Sequence, residues 1–160
     1  MEERDRRGVS YEDDVYGWSR HQAALLRQGR YDDVDMENVA EEIERVGRSQ
    51  VASLRSCYRL IAAHLLKVLF QPERFTRSWQ GTVVRERFNA SAYLDENLSL
   101  EPRRADIFAE AYAQARRLAS AETGMGLEAF PADAPFSWEQ ASSEEYQPWT
   151  ALAEPPARGA

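Results

Sequence analysis

The sequence predicts an all-α protein: four main helices in an up-and-down, bundle-like arrangement, followed by an irregular, aromatic C-terminal strap. Three observations support this class. Apolar residues recur at steps of three and four, which is the spacing of one helical face. No convincing run of alternating β-branched residues lies between turn signals, as a strand would require. At 160 residues, the chain has the length of one domain that can bury an ordinary core.

The first helix is expected to begin after Ser10, whose hydroxyl can cap a first turn that is rich in acids. Gly29 tolerates the left-handed backbone of a helix C-terminus, so the helix should stop near Gln28. Its apolar face consists of Tyr11, Val15, Trp18, Leu25 and Leu26.

The second helix is predicted to be the longest, from near Met36, after a cap by Asp35, to the residues before Pro72. The segment Gly47-Arg48-Ser49 leaves a break open, because it also reads as a helix end followed by a new N-cap. We favour a continuous helix, straight or bent there, because its apolar stripe stays in phase across Gly47. The stripe comprises Val39, Ile43, Val46, Gln50, Leu54, Cys57, Ile61, Leu65 and Val68.

The third helix is predicted from about Thr76 to Leu94, and the fourth from near Pro102, which suits a first helical turn, to Gly124. After Gly126 the helical pattern ends and aromatic residues become frequent. This segment is predicted to wrap over the helices as the strap, and its main residues are Phe130, Pro131, Pro135, Phe136, Trp138, Tyr146 and Trp149.

We expect a mobile N-terminus over residues 1–10, a single helical domain over 11–146 and a mobile tail over 147–160. The first ten residues are charged and lack the apolar core of a secretory signal. The longest apolar stretch, residues 61–70, contains His64 and Lys67 and is too short to span a membrane. The single Cys57 lies on the apolar stripe, so we expect a buried, inert thiol and a location in the reducing cytoplasm.

Charge is unevenly distributed along the chain. The net charge of −7 argues against broad attraction to nucleic acid or to an anionic membrane. Residues 32–44 hold seven acids and no base, whereas residues 73–87 hold four arginines and two glutamates. We expect these two patches to pair with each other, within one chain or between two chains.

The acids of the second helix are the first candidates for chemistry. Glu37, Glu41 and Glu44 share one helical face, with Glu42 beside them, and could supply carboxylates to a divalent metal or an acid–base pair. The structural alternative, which we favour, is a solvated acidic face near a helix N-terminus. There the helix dipole stabilises acids, and Arg45 and Arg48 stand at i,i+4 spacing.

His64 is the second candidate, although an imidazole in a buried helix is more often a hydrogen-bonded core residue than a ligand or base. On a continuous helix, Glu42 and His64 would be about 33 Å apart. Only a chain reversal near Gly47 could bring them into one site. The sequence shows no paired metal-ligand spacing, so we predict neither a metal nor another cofactor.

The third group is arginine-rich: Arg74, Arg77, Arg85 and Arg87 with Trp79. Arginines beside an aromatic ring can grip phosphates or stack on unpaired bases. Pairing with the acidic patch would neutralise them, so nucleic-acid binding is the lesser alternative. Arg77, Trp79 and Arg85 are the candidates for contacting a ligand or partner.

Six short pieces of the chain resemble the bacterial family described as domain of unknown function 29. The resemblance spans residues 11 to about 146 and implies a small all-helical protein, but it implies no activity. The matching pieces are 11–18 (YEDDVYGW), 35–47 (DMENVAEEIERVG), 64–67 (HLLK), 71–73 (QPE), 77–79 (RSW) and 121–131 (AETGMGLEAFP).

No nucleophile motif or phosphate-binding loop is present. We therefore favour a cytoplasmic, non-enzymatic interaction or regulatory module that self-associates or binds another protein. The first alternative is a metal-dependent hydrolase that uses Glu41, Glu44 and His64. The second is nucleic-acid binding through the four arginines.

Overall fold

The computed structural model describes residues 9–153 and shows an all-helical protein without a strand in that range, which confirms the predicted fold class. The predicted mobile ends fall largely on residues 1–8 and 154–160, which lie outside the described residues. No helix within the described range is long and apolar enough to cross a membrane. The helices are α1 (Val15–Arg27), α2 (Met36–Phe70), α3 (Arg77–Glu96), α4 (Arg104–Thr123), α5 (Trp138–Ser142) and α6 (Thr150–Ala153).

The chain divides into two compact units, and the boundary between Arg48 and Ser49 lies inside α2. The single helical domain over residues 11–146 stays a prediction. The N-terminal unit, as described, contains α1, a 3₁₀ turn at Tyr31–Asp33 and the first part of α2. The C-terminal unit contains the rest of α2, α3, α4 and the strap.

Helix α1 begins later than predicted. Asp14, not Ser10, is its N-cap, and the Asp14 carboxylate accepts a hydrogen bond of 2.9 Å from the Gly17 N–H. Ser10 instead accepts from the N–H of Glu12, in the turn before the helix. The predicted stop is confirmed, because α1 ends at Arg27 and Gly29 adopts a φ of 70°.

Helix α2 is continuous over 35 residues and passes through Gly47 without interruption. Asp35 caps it as predicted, because its carboxylate accepts from the backbone N–H of Asn38 at 3.3 Å. The alternative of a break at Gly47 is therefore wrong. The in-phase apolar stripe was the better guide, since a single glycine costs a helix only about 1 kcal/mol.

In the C-terminal unit, contacts between side chains fix the direction of each helix. Gln50 and Lys67 of α2 meet the end and the start of α3, through Asn97 at 3.5 Å and the Trp79 ring at 4.4 Å. Helix α3 is therefore antiparallel to α2. Helix α4 runs parallel to α2, because Arg55 pairs with Glu110 at 3.0 Å and Lys67 with Glu122 at 2.6 Å. The order within this unit is up, down, up.

The core of this unit lies among α2, α3, α4 and the strap. From α2 it takes the fully buried Leu54, Ile61 and Leu65. Aromatic rings of α4 and the strap meet edge to face around Phe136, with Phe108 and Tyr112 both at 6.3 Å between ring centroids. The predicted aromatic strap is thus part of the core.

Arginine and tyrosine side chains hold the irregular strap in place. Buried carbonyls outside a helix lack intrahelical donors and need other hydrogen-bond partners, which here are side chains. Arg116 of α4 donates to the Phe130 carbonyl at 2.8 Å, and the Tyr112 hydroxyl donates to the Pro131 carbonyl at 2.8 Å. Trp149, which fell in the predicted tail, is only 2% exposed.

Candidate functional site

The apolar stripe of α2 has two environments. In the C-terminal unit its residues from Leu54 to Val68 are buried. In the N-terminal unit its Ile43 is 69% exposed, and Met36, on the same side of the helix, is 58% exposed. Ala40 and Gly47 are exposed on the same side of the helix, and a Cβ atom added at Gly47 would meet nothing within 4 Å. We call Met36, Ala40, Ile43 and Gly47 the α2 face.

The acids beside this face are solvated and paired along the helix. Glu44 bonds Arg48 at 3.1 Å, and Glu41 lies 3.6 Å from Arg45. Both i,i+4 pairs were predicted and are confirmed. Glu41 and Glu44, proposed as catalytic candidates, therefore sit on an open surface where such pairs contribute little to stability.

Glu42 has a different role, because it faces the turn before α1. The Tyr11 hydroxyl donates to the Glu42 carboxylate at 2.5 Å, and Arg45 donates to the Tyr11 oxygen at 2.9 Å. The hydrogen bond to Glu42 raises the pKa of Tyr11 above its ordinary value. These contacts connect the 11–18 piece with the 35–47 piece of the sequence.

Asp35 makes a second connection between the same two pieces. Its carboxylate accepts from the Trp18 indole N–H at 3.2 Å and from the Asn38 side chain at 2.8 Å. The hydrogen bonds from Asn38 hold the pKa of Asp35 below its ordinary value, and the bond from Trp18 adds to this. The buried Gln22 accepts from the Asp35 backbone N–H at 2.9 Å.

These residues border an open cavity of about 670 Å³ in the N-terminal unit. Its lining is mainly polar and also includes His21, Arg30 and Asp33. Arg30 and Asp33 pair with each other at 2.7 Å. The polar groups at this cavity largely stabilise the caps and turns of the unit, and they form no recognisable catalytic set.

His64 is a buried, hydrogen-bonded core residue, as the structural alternative expected. It is 9% exposed, and its Nδ1 lies 2.9 Å from the Leu60 carbonyl oxygen. Burial lowers its pKa below the ordinary 6.5. The continuous α2 lacks the chain reversal near Gly47 on which a site shared with Glu42 depended.

Lys67 was missed as a candidate, although it is the only lysine of the chain. It is 5% exposed, its ammonium bonds Glu122 at 2.6 Å, and it lies 4.4 Å from the centre of the Trp79 ring. Three family-like pieces, 64–67, 77–79 and 121–131, thus meet around one charge. The signal for it was in the sequence, since Lys67 is a single lysine among many arginines and lies within an apolar stretch.

The arginine group divides into an inward and an outward set. Arg87 is 6% exposed and donates to the Ala141 carbonyl at 2.8 Å and the Tyr146 carbonyl at 2.9 Å. It therefore holds the strap and is not available to a phosphate. Arg74 and Arg77 are exposed, and Arg85 pairs with the buried Glu86 at 2.8 Å.

Cys57 is a buried thiol, as expected. Burial, with a smaller effect of Glu86, raises its pKa to about 12. A thiol with that pKa is not a nucleophile near neutral pH. Across residues 9–153, no group of three or more His, Cys, Asp and Glu side chains could hold a metal ion.

The fold and these surfaces define a small all-helical protein with an exposed apolar face on α2. A family model described as domain of unknown function DUF29 matches residues 10–147. The chain belongs to this family, as its motifs indicated. No curated protein and no solved structure matches the chain.

Proposed function

We propose that this protein is a cytoplasmic, non-enzymatic interaction module that self-associates through the α2 face. The observation that carries the proposal is the exposure of Ile43, on the stripe that forms the core further along α2, and of Met36 on the same side of the helix. Large apolar side chains that share one helical face and remain in water are a usual mark of a protein contact.

The other candidate residues support a structural role. Glu41 and Glu44 pair with neighbouring arginines, His64 bonds a carbonyl, and Cys57 is buried with a high pKa. A cytoplasmic location agrees with one unpaired, buried cysteine. Metal-dependent hydrolysis and nucleic-acid binding remain predictions that no contact among the described residues favours.

Sedimentation velocity over a concentration series tests the proposal. The wild-type protein should associate as its concentration rises, and Ile43→Lys should weaken association at least about tenfold. Because Ile43 is 69% exposed, the substitution should leave the fold intact, and thermal unfolding checks this.

Leu98→Lys is the matched control, because Leu98 is also apolar, is 73% exposed and lies outside α2. It should associate like the wild type. A wild-type protein that stays monomeric at every concentration contradicts the proposal. If Ile43→Lys associates as well as Leu98→Lys and the wild type, the contact lies elsewhere and the proposal fails.

A further inference from the structure

A second exposed apolar row lies on α3, in the C-terminal unit. Phe88 is 74% exposed and Val84 is 54% exposed, and they are one helical turn apart. Gly81 and Arg77 continue the same side of the helix and are exposed as well. We call Arg77, Gly81, Val84 and Phe88 the α3 face.

The two faces have a similar pattern of residues, and the charges beside them are opposite. The α2 face is a row of apolar and glycine positions at helical spacing, and the α3 face has the same pattern after Arg77. Glu37 and Glu44 border the α2 face, directly after Met36 and Ile43 in the sequence. The α3 face contains one arginine and is bordered by another, Arg85. When two apolar rows with opposite bordering charges form a helix–helix contact, they gain from apolar burial and from electrostatic attraction.

Three of the four charges at the faces are weakly committed within the chain, whereas Arg85 pairs with the buried Glu86 at 2.8 Å. Within residues 9–153, Glu44 forms an ion pair only with Arg48, and both side chains are more than half exposed. Arg77 and Glu37 take part in no ion pair among the described residues. Surface pairs of this kind are worth about 0–1 kcal/mol, so they rearrange readily at an interface.

We propose that a second copy of this chain is the occupant of the α2 face and that it binds with its α3 face. This inference rests on the proposed function, because it names the partner surface for the same contact. Phe88 and Val84 of one copy cover Ile43 and Met36 of the other, and Arg77 and Arg85 lie among the acids. The expected arginine–acid pairing then occurs between chains.

A contact between two different faces leaves one free face on each copy. A contact between unlike faces either closes into a ring of copies or continues head to tail. In either case the contact is charge-assisted, so association should weaken as salt is added.

Complementation between two variants tests the pairing. Ile43→Lys places a charge in the α2 face, and Phe88→Glu places a charge in the α3 face. Each variant alone should lose association, at least about tenfold in Kd. A mixture should recover a heteromeric complex, because the intact α3 face of the first variant fits the intact α2 face of the second. Tagging one variant allows pull-down and sedimentation to follow the complex.

The outcomes separate the alternatives. If Phe88→Glu associates like the wild type while Ile43→Lys does not, the α2 face pairs with another surface, and the inference fails although the proposed function stands. A mixture that stays monomeric also overturns the inference. A monomeric wild type overturns the proposed function itself.

Discussion

Ile43 and Ile61 are both isoleucines on the apolar stripe of α2, yet one is exposed and the other is buried. Ile61 is 0% exposed in the C-terminal unit, whereas Ile43 is 69% exposed in the N-terminal unit. Around Ile61, α3, α4 and the strap supply apolar partners. The N-terminal unit buries Trp18, Leu25 and Val34 instead of Ile43, and polar contacts join Tyr11 to Glu42 and Trp18 to Asp35. A continuous apolar stripe therefore serves two purposes, a core in one part and an open surface in the other.

Alanine at each isoleucine should give the largest difference between the two parts. Ile61→Ala should lower the free energy of unfolding by about 2–5 kcal/mol, because it leaves a cavity in a closed core. Ile43→Ala should change it by less than about 0.5 kcal/mol. Chemical denaturation of dilute protein measures both. Similar losses at the two positions would mean that Ile43 is covered within the monomer.

A buried and an exposed ion pair should also differ in how much they contribute to stability. Glu122→Ala leaves the Lys67 ammonium buried without its carboxylate partner and should cost about 1–3 kcal/mol. Adding Lys67→Met to that variant should restore stability, because the uncompensated buried charge is then gone. Glu44→Ala, in the exposed pair with Arg48, is the control and should be within about 0.5 kcal/mol of wild type. A double variant less stable than Glu122→Ala would contradict this account of Lys67.

Removing the α2 cap tests the polar contacts of the N-terminal unit. Asp35→Ala loses the bonds to Asn38 and Trp18 and should cost about 1 kcal/mol. Asp35→Asn should cost less, because asparagine also caps helices well. Hydrogen exchange of the first turn of α2 reports the effect locally. Equal protection in the alanine variant and the wild type would show that the cap is dispensable.

The smallest expected effect is the contribution of His64 to the pH dependence of stability. The pKa of buried His64 lies below its ordinary 6.5, so the unfolded state takes up a proton before the folded state does. Stability should therefore fall as pH drops below about 6.5. His64→Gln should show a smaller decrease in melting temperature between pH 7.5 and pH 5.5, a window set by the ordinary histidine pKa of about 6.5. An unchanged decrease would assign this pH dependence to other groups.

Local features of the sequence predicted much of the fold. The phase of the stripe predicted α2, Gly29 and Gly124 marked helix ends, and Asp35 was recognised as a cap. Each of these depends on neighbours within a few residues. Periodicity identifies an apolar face, but it does not state what covers that face. The exposure of Ile43 therefore could not be predicted from the sequence.

The roles of Lys67 and Arg87 could not be predicted either, because their partners are distant in the chain. Lys67 bonds Glu122, 55 positions away, and Arg87 bonds the Ala141 carbonyl, 54 positions away. Arg87 looked like its exposed neighbours in the sequence. Only the packing of the strap turns it inward, where its guanidinium satisfies buried carbonyls.

The central claim is that the α2 face becomes covered when copies of the protein meet. The alkylation rate of a thiol placed at Ala40 measures this directly, because Ala40→Cys is a small change at an exposed position and Cys57 is buried. Trace Ala40→Cys protein mixed with increasing wild-type protein should react several-fold more slowly, whereas Tyr16→Cys, at a 72% exposed position on α1, should keep its rate. An Ala40→Cys rate that does not change with protein concentration would contradict the claim.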